Sequence, residues 1–204
     1  MLHRLAGYVA GSSLVLALLS GVATAQTAER PDVKVGDRWQ FAVYWATPST
    51  QPSRVREITA ITGSGFEGTE NGEPLVLTRD LGVLDSPLEK NSTPETLRFP
   101  LEVGKRWRYS TEWIFKPKHS KGTSVVDVIV VGYEKITVPA GEFDAFKLVA
   151  SATMRGVSGI GSQIDAETKT TYWYAPAARA VVKSVHHNPY LGTSTVELVG
   201  VQLR

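Results

Sequence analysis

A chain of 204 residues with 42% apolar and 9% aromatic content has material for one hydrophobic core of ordinary size, and this composition excludes intrinsic disorder. Its 22 basic and 20 acidic residues nearly balance, which excludes the one-sided basic field of a nucleic-acid-binding protein. Cysteine is absent, so disulfides are excluded and burial must supply the stability.

At the N-terminus His3 and Arg4 precede an apolar run from Val9 to Leu19, followed by Ala23-Thr24-Ala25. The run is about a dozen residues, short of the ~20 that a membrane-crossing helix needs, and Ala-x-Ala provides a cleavage point before Gln26. Residues 1–25 therefore read as a secretory signal peptide, with no cysteine after it to carry a lipid. Removing that segment takes one Arg and no acid, leaving 21 basic and 20 acidic residues in 26–204. The exported chain has no segment that would cross a bilayer as a helix, and its expected location is periplasmic or secreted.

Beyond the signal the dominant period is two, the mark of strands with one buried face. "VGDRWQFAVYW" (35–45) puts Trp39, Phe41, Val43 and Trp45 on one face, with Arg38, Gln40 and Tyr44 opposite. "ATPSTQPS" (46–53) reads as a loop from its Pro and Ser content, and "DSPLEK" as one short helix, with Ser86 as cap and Pro87 in the first position. "VGKRWRYSTEW" (103–113) repeats the first strand opener at an offset of 68 with five of eleven residues identical. Its strand carries Trp107, Tyr109, Thr111, Trp113 and Phe115 on one face. "KPKHSKGTS" (116–124) reads as a loop. "TSVVDVIVVGY" (123–133) has apolar residues in both phases, which predicts a strand covered on both faces near the centre of the assembly. "ITVPAGEF" (136–143) predicts a hairpin with Pro139 and Ala140 in the turn and Gly141 in a bulge. Phe146, Leu148, Ala150, Ala152 and Met154 form the inner row of the next strand, "GVSGIGS" (156–162) a hairpin tip, and "AETKTTYWY" (166–174) another strand. In the last strand the apolar phase slips between Leu198 and Val199 ahead of Gly200, which predicts a bulge.

About ten strands, several near ten residues long, predict an all-β protein. Long, twisted antiparallel strands curl to bury an aromatic face and remove their edges. The expected architecture is a curved antiparallel sheet closing into a barrel, half-barrel or sandwich, with no long helix after the signal peptide. Residues 26–204 form one domain, and two related meanders, 33–100 and 101–204, remain an open alternative beside independent use of the same strand opener. In either case the two openers supply two aromatic walls of one core.

Three phrases, "FPLEVGKRWRY" (99–109), "ITVPAGEFDAFKLVA" (136–150) and "TTYWYAPAARAVVKS" (170–184), resemble a family of exported bacterial β-proteins known chiefly as a domain of unknown function. The similarity covers about 33–203 and implies a periplasmic or surface β-barrel-like domain without an assigned activity. The chain departs from that pattern after Tyr174, where Ala177 and Arg179 stand in a turn that such proteins fill with glycine; neither residue takes positive φ cheaply.

No nucleophile elbow, phosphate-binding loop or metalloprotease motif is present, and the chain is read as non-enzymatic, with no cofactor and no metal. His186 and His187 are adjacent on a strand and so face opposite ways, and His119 lies in a separate loop. Glu142 and Asp144 flank the Gly141 turn, where acids are ordinarily solvated. Asp127, the lone charge in an apolar stretch, is expected to be buried against a cross-strand Lys or Arg. Lys116, Lys118, His119 and Lys121 form a basic tip that reads as solvated, with contact to anionic lipid or polysaccharide as the alternative. Five Trp, seven Tyr and six Phe fill a core, but a barrel of this size begins to leave room for a guest. The leading reading is an envelope protein binding or carrying an apolar or amphipathic small molecule or lipid, with Trp45, Trp113 and Phe115 at the cavity mouth. The alternative is a structural module that holds another envelope protein and binds no ligand.

Overall fold

The computed structural model describes residues 26–45 and 53–204, so the signal segment and the 46–52 connection lie outside it. In chain order the strands are β1 (Thr27–Ala28), β2 (Arg38–Trp45), β3 (Ser53–Ile61), β4 (Gly65–Glu70), β5 (Glu73–Thr78), β6 (Val83–Asp85) and β7 (Glu89–Asn91). There follow β8 (Leu101–Glu102), β9 (Arg106–Phe115), β10 (Ser120–Val138), β11 (Gly141–Val157), β12 (Gln163–Ala175), β13 (Ala180–Asn188) and β14 (Gly192–Gln202).

The strands β2 to β7 and β9 to β14 pair antiparallel with their sequence neighbours, β7 pairs with β9, and β14 pairs with β2. The result is a closed twelve-stranded barrel, in which every strand has two partners and no edge is left open. β1 and β8 form a separate small bridge, Ala28 against Leu101. Of the expected architectures the barrel is the one formed. Its strands outnumber the expected ten because β6 and β7 are three residues each, too short to display a period of two.

The inward and outward rows follow the alternation in the sequence. Trp39, Phe41 and Val43 are buried along β2 while Arg38 and Gln40 face solvent, and the same holds for Trp107 against Arg106 and Arg108 on β9. The Pro139-Ala140 turn joins β10 to β11 with Gly141 at φ 130, and the Leu198/Gly200 register shift is the bulge expected in β14.

Four expectations are corrected. "DSPLEK" is no helix: Ser86 Oγ accepts hydrogen bonds from the Leu88 and Glu89 amides as a cap would, but the chain then reverses into β7. The 116–124 loop shrinks to a single 3₁₀ turn, Lys116–Lys118, because Ser120 already pairs with Phe115 across β9 and β10. The stretch 123–133 is not covered on both faces: Val126, Val128 and Val130 are buried, but Val125 and Val131 are 42% and 44% exposed. A barrel one sheet thick has a single interior, so a row of β-branched residues pointing outward stays wet. The turn after Tyr174 needs no glycine, for Arg179 itself takes φ 51.

Both VGxRW segments make one turn in the same geometry. Gly36 and Gly104 have φ 89 and 93, and their amides donate to Ile58 O and Val130 O on the next strand, each at 2.8 Å. Asp37 O and Lys105 O then accept from the amides of those same residues at 3.0 Å. Each following tryptophan donates its indole N–H to a main-chain carbonyl, Trp39 to Ala178 at 2.8 Å and Trp107 to Glu95 at 2.7 Å. The opener is thus a device for starting an inward aromatic strand, since it supplies the positive φ that only glycine accommodates freely and a polar outlet for a buried indole.

The core they build has two clusters rather than one. Trp39 and Phe41 pack with Ile58, Leu75 and Val182; Trp107 packs with Leu97, Leu101, Phe146 and Tyr174; Leu81 touches both groups. The irregular segment 92–100 belongs to the second cluster. It crosses the lower interior, where Leu97 is buried and Phe99 meets the Tyr174 ring edge-on at 5.1 Å. The VGxRW turns, the Pro139-Ala140 turn and the 176–179 turn lie at this filled lower end, and the turns after β4, β6, β9, β11 and β13 lie at the other.

Candidate functional site

Above the core the barrel is hollow. Twelve strands enclose more space than the eight whose side chains just fill a barrel. In addition, the inner face of β11 changes from Phe146 and Leu148 below to Ala150 and Ala152 above, and Gly122 pairs with Gly156 between β10 and β11 near the top. A cavity of about 770 Å³ results, and it opens toward the upper end. Its apolar wall includes Trp39 and Phe41 at depth, Leu97 from the crossing segment, and Trp45, Trp113 and Phe115 toward the opening. Trp113 is seated against Gly122, where a Cβ would come within 2.8 Å of its Cζ2. The Trp113 indole N–H is buried and finds no acceptor among the described residues.

Polar groups are interspersed among the apolar ones in this wall. Thr170 and His186 meet across β12 and β13, Oγ1 to Nδ1 at 2.8 Å, and burial followed by the neighbouring His187 holds the His186 ring below its ordinary pKa. Burial pushes the phenols of Tyr109 and Tyr172 upward, which keeps both neutral hydrogen-bonding groups. On β3 the inward row is Arg54, Arg56 and Ile58, opposite Phe41 and Trp39 on β2. Arg56 Nε donates to Glu70 Oε2 at 2.6 Å, whereas Arg54 Nε stands 3.7 Å from that same oxygen, beyond hydrogen-bonding range. Glu70 is nearly fully buried. Glu89 on β7 is a further carboxylate in the wall.

The residues singled out in the sequence are dispersed. Trp45, Trp113 and Phe115 converge on the opening, although Trp45 is 43% exposed at the rim. His186 faces the cavity, while His187 turns outward to Thr193 Oγ1 at 3.2 Å. Glu142 and Asp144 share Lys135 on the outer surface. Asp127 has the expected cross-strand partner, Arg108, in a two-point pair at 2.7 and 2.6 Å, but the pair lies on the outside of the barrel and is exposed. The outward phase of β10 carries it there beside the exposed Val125, while its chain neighbours Val126 and Val128 face inward. Lys116 is tied to Asp85 and to the Ser86 carbonyl rather than free at a tip. Sequence reasoning passed over Arg54, Arg56 and Glu70. The signal was present in "SRVREITAI", since placing Ile58 in the core puts both arginines in the same inward phase.

Below the cavity a buried junction closes the barrel floor. Asp37, fully buried, accepts from Lys34 N at 3.0 Å, Arg204 N at 2.8 Å and Arg179 Nη1 at 2.8 Å. This carboxylate gathers the first strand opener, the 176–179 turn and residue 204 at one point.

No family model matches the chain, and no curated protein matches its sequence. Its fold is similar to two crystal structures. One is a candidate lipoprotein from Parabacteroides distasonis, at TM-score 0.55 and 15% identity, covering 86% of this chain and 99% of that one. The other is a candidate exported protein with a YmcC-like fold from Bacteroides fragilis, at TM-score 0.54 and 16% identity with the same coverages. The hypothetical lipoprotein YmcC from Escherichia coli aligns at TM-score 0.48 and 11% identity over 80% of this chain and 83% of its own. At these identities the likeness concerns the fold.

Proposed function

We propose that this is an exported, non-enzymatic protein that binds or carries one apolar or amphipathic small molecule in the upper half of its barrel. The observation that carries the reading is the cavity of about 770 Å³ itself, whose wall combines aromatic and aliphatic side chains with interspersed polar ones. That is the size and lining of small-molecule sites in general, which run to roughly 300–1,000 Å³. A periplasmic or secreted location is supported by the sequence of residues 1–25 and by the likeness in fold to a candidate lipoprotein and a candidate exported protein.

Native mass spectrometry of the exported protein, with thermal shifts against acyl and isoprenoid compounds, tests the proposal. The expected result is a co-purifying small molecule, or a raised melting temperature with at least one compound. Ala152→Trp, which fills the lumen from β11, is expected to abolish either signal while the barrel stays folded. If the wild type binds none of these compounds, or binds them undiminished in Ala152→Trp, the proposal fails.

A second reading, an envelope module that holds another protein, is favoured by the outward row on β10 in which Val125 and Val131 are exposed. Cross-linking in the envelope distinguishes it, because a partner captured through β10 by a protein that binds no small molecule selects this reading.

A further inference from the structure

We propose that the guest in the cavity carries an anionic head, a carboxylate or a phosphate monoester, seated on the guanidinium of Arg54 beside Arg56. The inference rests on the carrier reading and specifies the chemical class of the molecule carried.

Arg54 is the charged group in the wall whose bonding is unfinished among the described residues. Its side chain is 25% exposed, points inward from β3 and lines the cavity, yet none of its N–H groups makes a hydrogen bond among the described residues. The carboxylate in closest reach, Glu70, is already held by Arg56 at 2.6 Å and stands 3.7 Å from Arg54, while Glu89 acts on Arg54 only through its charge. Two arginines two residues apart therefore share one acid, with a net positive charge on a largely apolar wall. Burial, and then repulsion from Arg56, weaken the charged form of Arg54. A cation in this position is costly to the empty protein and is relieved by an anion that brings its own acceptors. Glu89 lines the wall four strands away in the barrel order and makes no ion pair with Arg54. It opposes an anion in the lumen without occupying the seat. An apolar tail then has the tryptophan-lined space above, so that one molecule satisfies both parts of the cavity.

The test titrates the exported protein with three probes of equal tail length, hexadecanoate, hexadecyl phosphate and hexadecan-1-ol, and follows tryptophan fluorescence and calorimetry. One charge-assisted contact predicts that an anion binds about ten- to a hundredfold tighter than the alcohol, and the tighter of the two anions identifies the head group. Arg54→Met is expected to lose the preference for anions and bind all three alike, with the melting temperature of the empty protein equal or higher, since an under-paired cation has been removed. Arg56→Met, which strands the buried Glu70, is expected instead to lower the melting temperature. Glu89→Gln is expected to strengthen both anions. If the wild type binds the alcohol as tightly as the anions, or Arg54→Met retains the preference, the head-group inference is overturned while the carrier reading stands. Binding of no probe by the wild type also overturns the head-group inference, and the carrier reading then stands or falls on the native mass spectrum and the isoprenoid compounds.

Discussion

Replacing Asp37 by Asn probes the junction beneath the cavity. The carboxylate accepts three hydrogen bonds while fully buried, one of them from a guanidinium that is 21% exposed. Asparagine keeps the shape but offers one oxygen, turns an NH₂ toward donors and leaves Arg179 without its charge partner. Breaking a buried pair from one side costs about 3–5 kcal/mol, and the partial exposure of Arg179 places this case near the lower figure. For a domain of about 180 residues, with ~2–4 °C of melting temperature per kcal/mol, a loss of about 3 kcal/mol is a fall of roughly 6–12 °C. Circular dichroism melts and urea titrations of both proteins measure it. The double variant Asp37→Asn, Arg179→Gly should recover part of the loss, because it removes the orphaned guanidinium and the strain of φ 51, itself worth about 1–2 kcal/mol. A fall under about 2 °C in the single variant, or a double variant less stable than the single, would refute the account of Asp37 as the anchor of the floor.

Stability should also depend on pH through His186. Its folded pKa lies below the ordinary 6.5, so the unfolded chain takes up the proton first. The contribution of the neutral ring is complete above about 6.5 and declines as pH falls through the window beneath it. Urea midpoints should drop across that window, and His186→Gln should flatten the slope; an unchanged slope counts against a buried, neutral ring. Gly122→Ala should be destabilising and should shift the emission of Trp113, because the new Cβ meets Arg155 O at 2.1 Å and Trp113 Cζ2 at 2.8 Å. A variant with wild-type stability and emission would contradict that packing. Asp127→Asn should leave the thermal midpoint unchanged within error, since its pair with Arg108 is solvated on both sides; a clear drop would restore the buried reading.

Much of the barrel was legible in the sequence because a strand's two faces are written in alternate residues. The inward rows of β2, β9 and β11, the Pro139-Ala140 turn and the β14 bulge all follow from local pattern. Where apolar residues occupied both phases, as in 123–133, pattern alone could not say which face would be covered, and it implied a second layer that a closed barrel lacks. Ser86 was recognised as a cap, yet a cap is satisfied equally by a helix or by a turn that reverses. The wall of the cavity was legible only in part: Trp45, Trp113 and Phe115 end their aromatic rows, whereas the inward phase of Arg54 and Arg56 shows only once Ile58 is placed in the core.

The amino-acid order by itself determined an all-β chain with a signal-like leader, two glycine-started aromatic strands and an antiparallel order, because turn chemistry and period two are local properties. Only the tertiary structure decided that the sheet closes at twelve strands, that the segment 92–100 fills the lower interior, and that Glu70 serves Arg56 and not Arg54. Those outcomes depend on which strands meet around a closed ring and on how much space their side chains leave, and distance between residues far apart in the chain is not encoded at any one position.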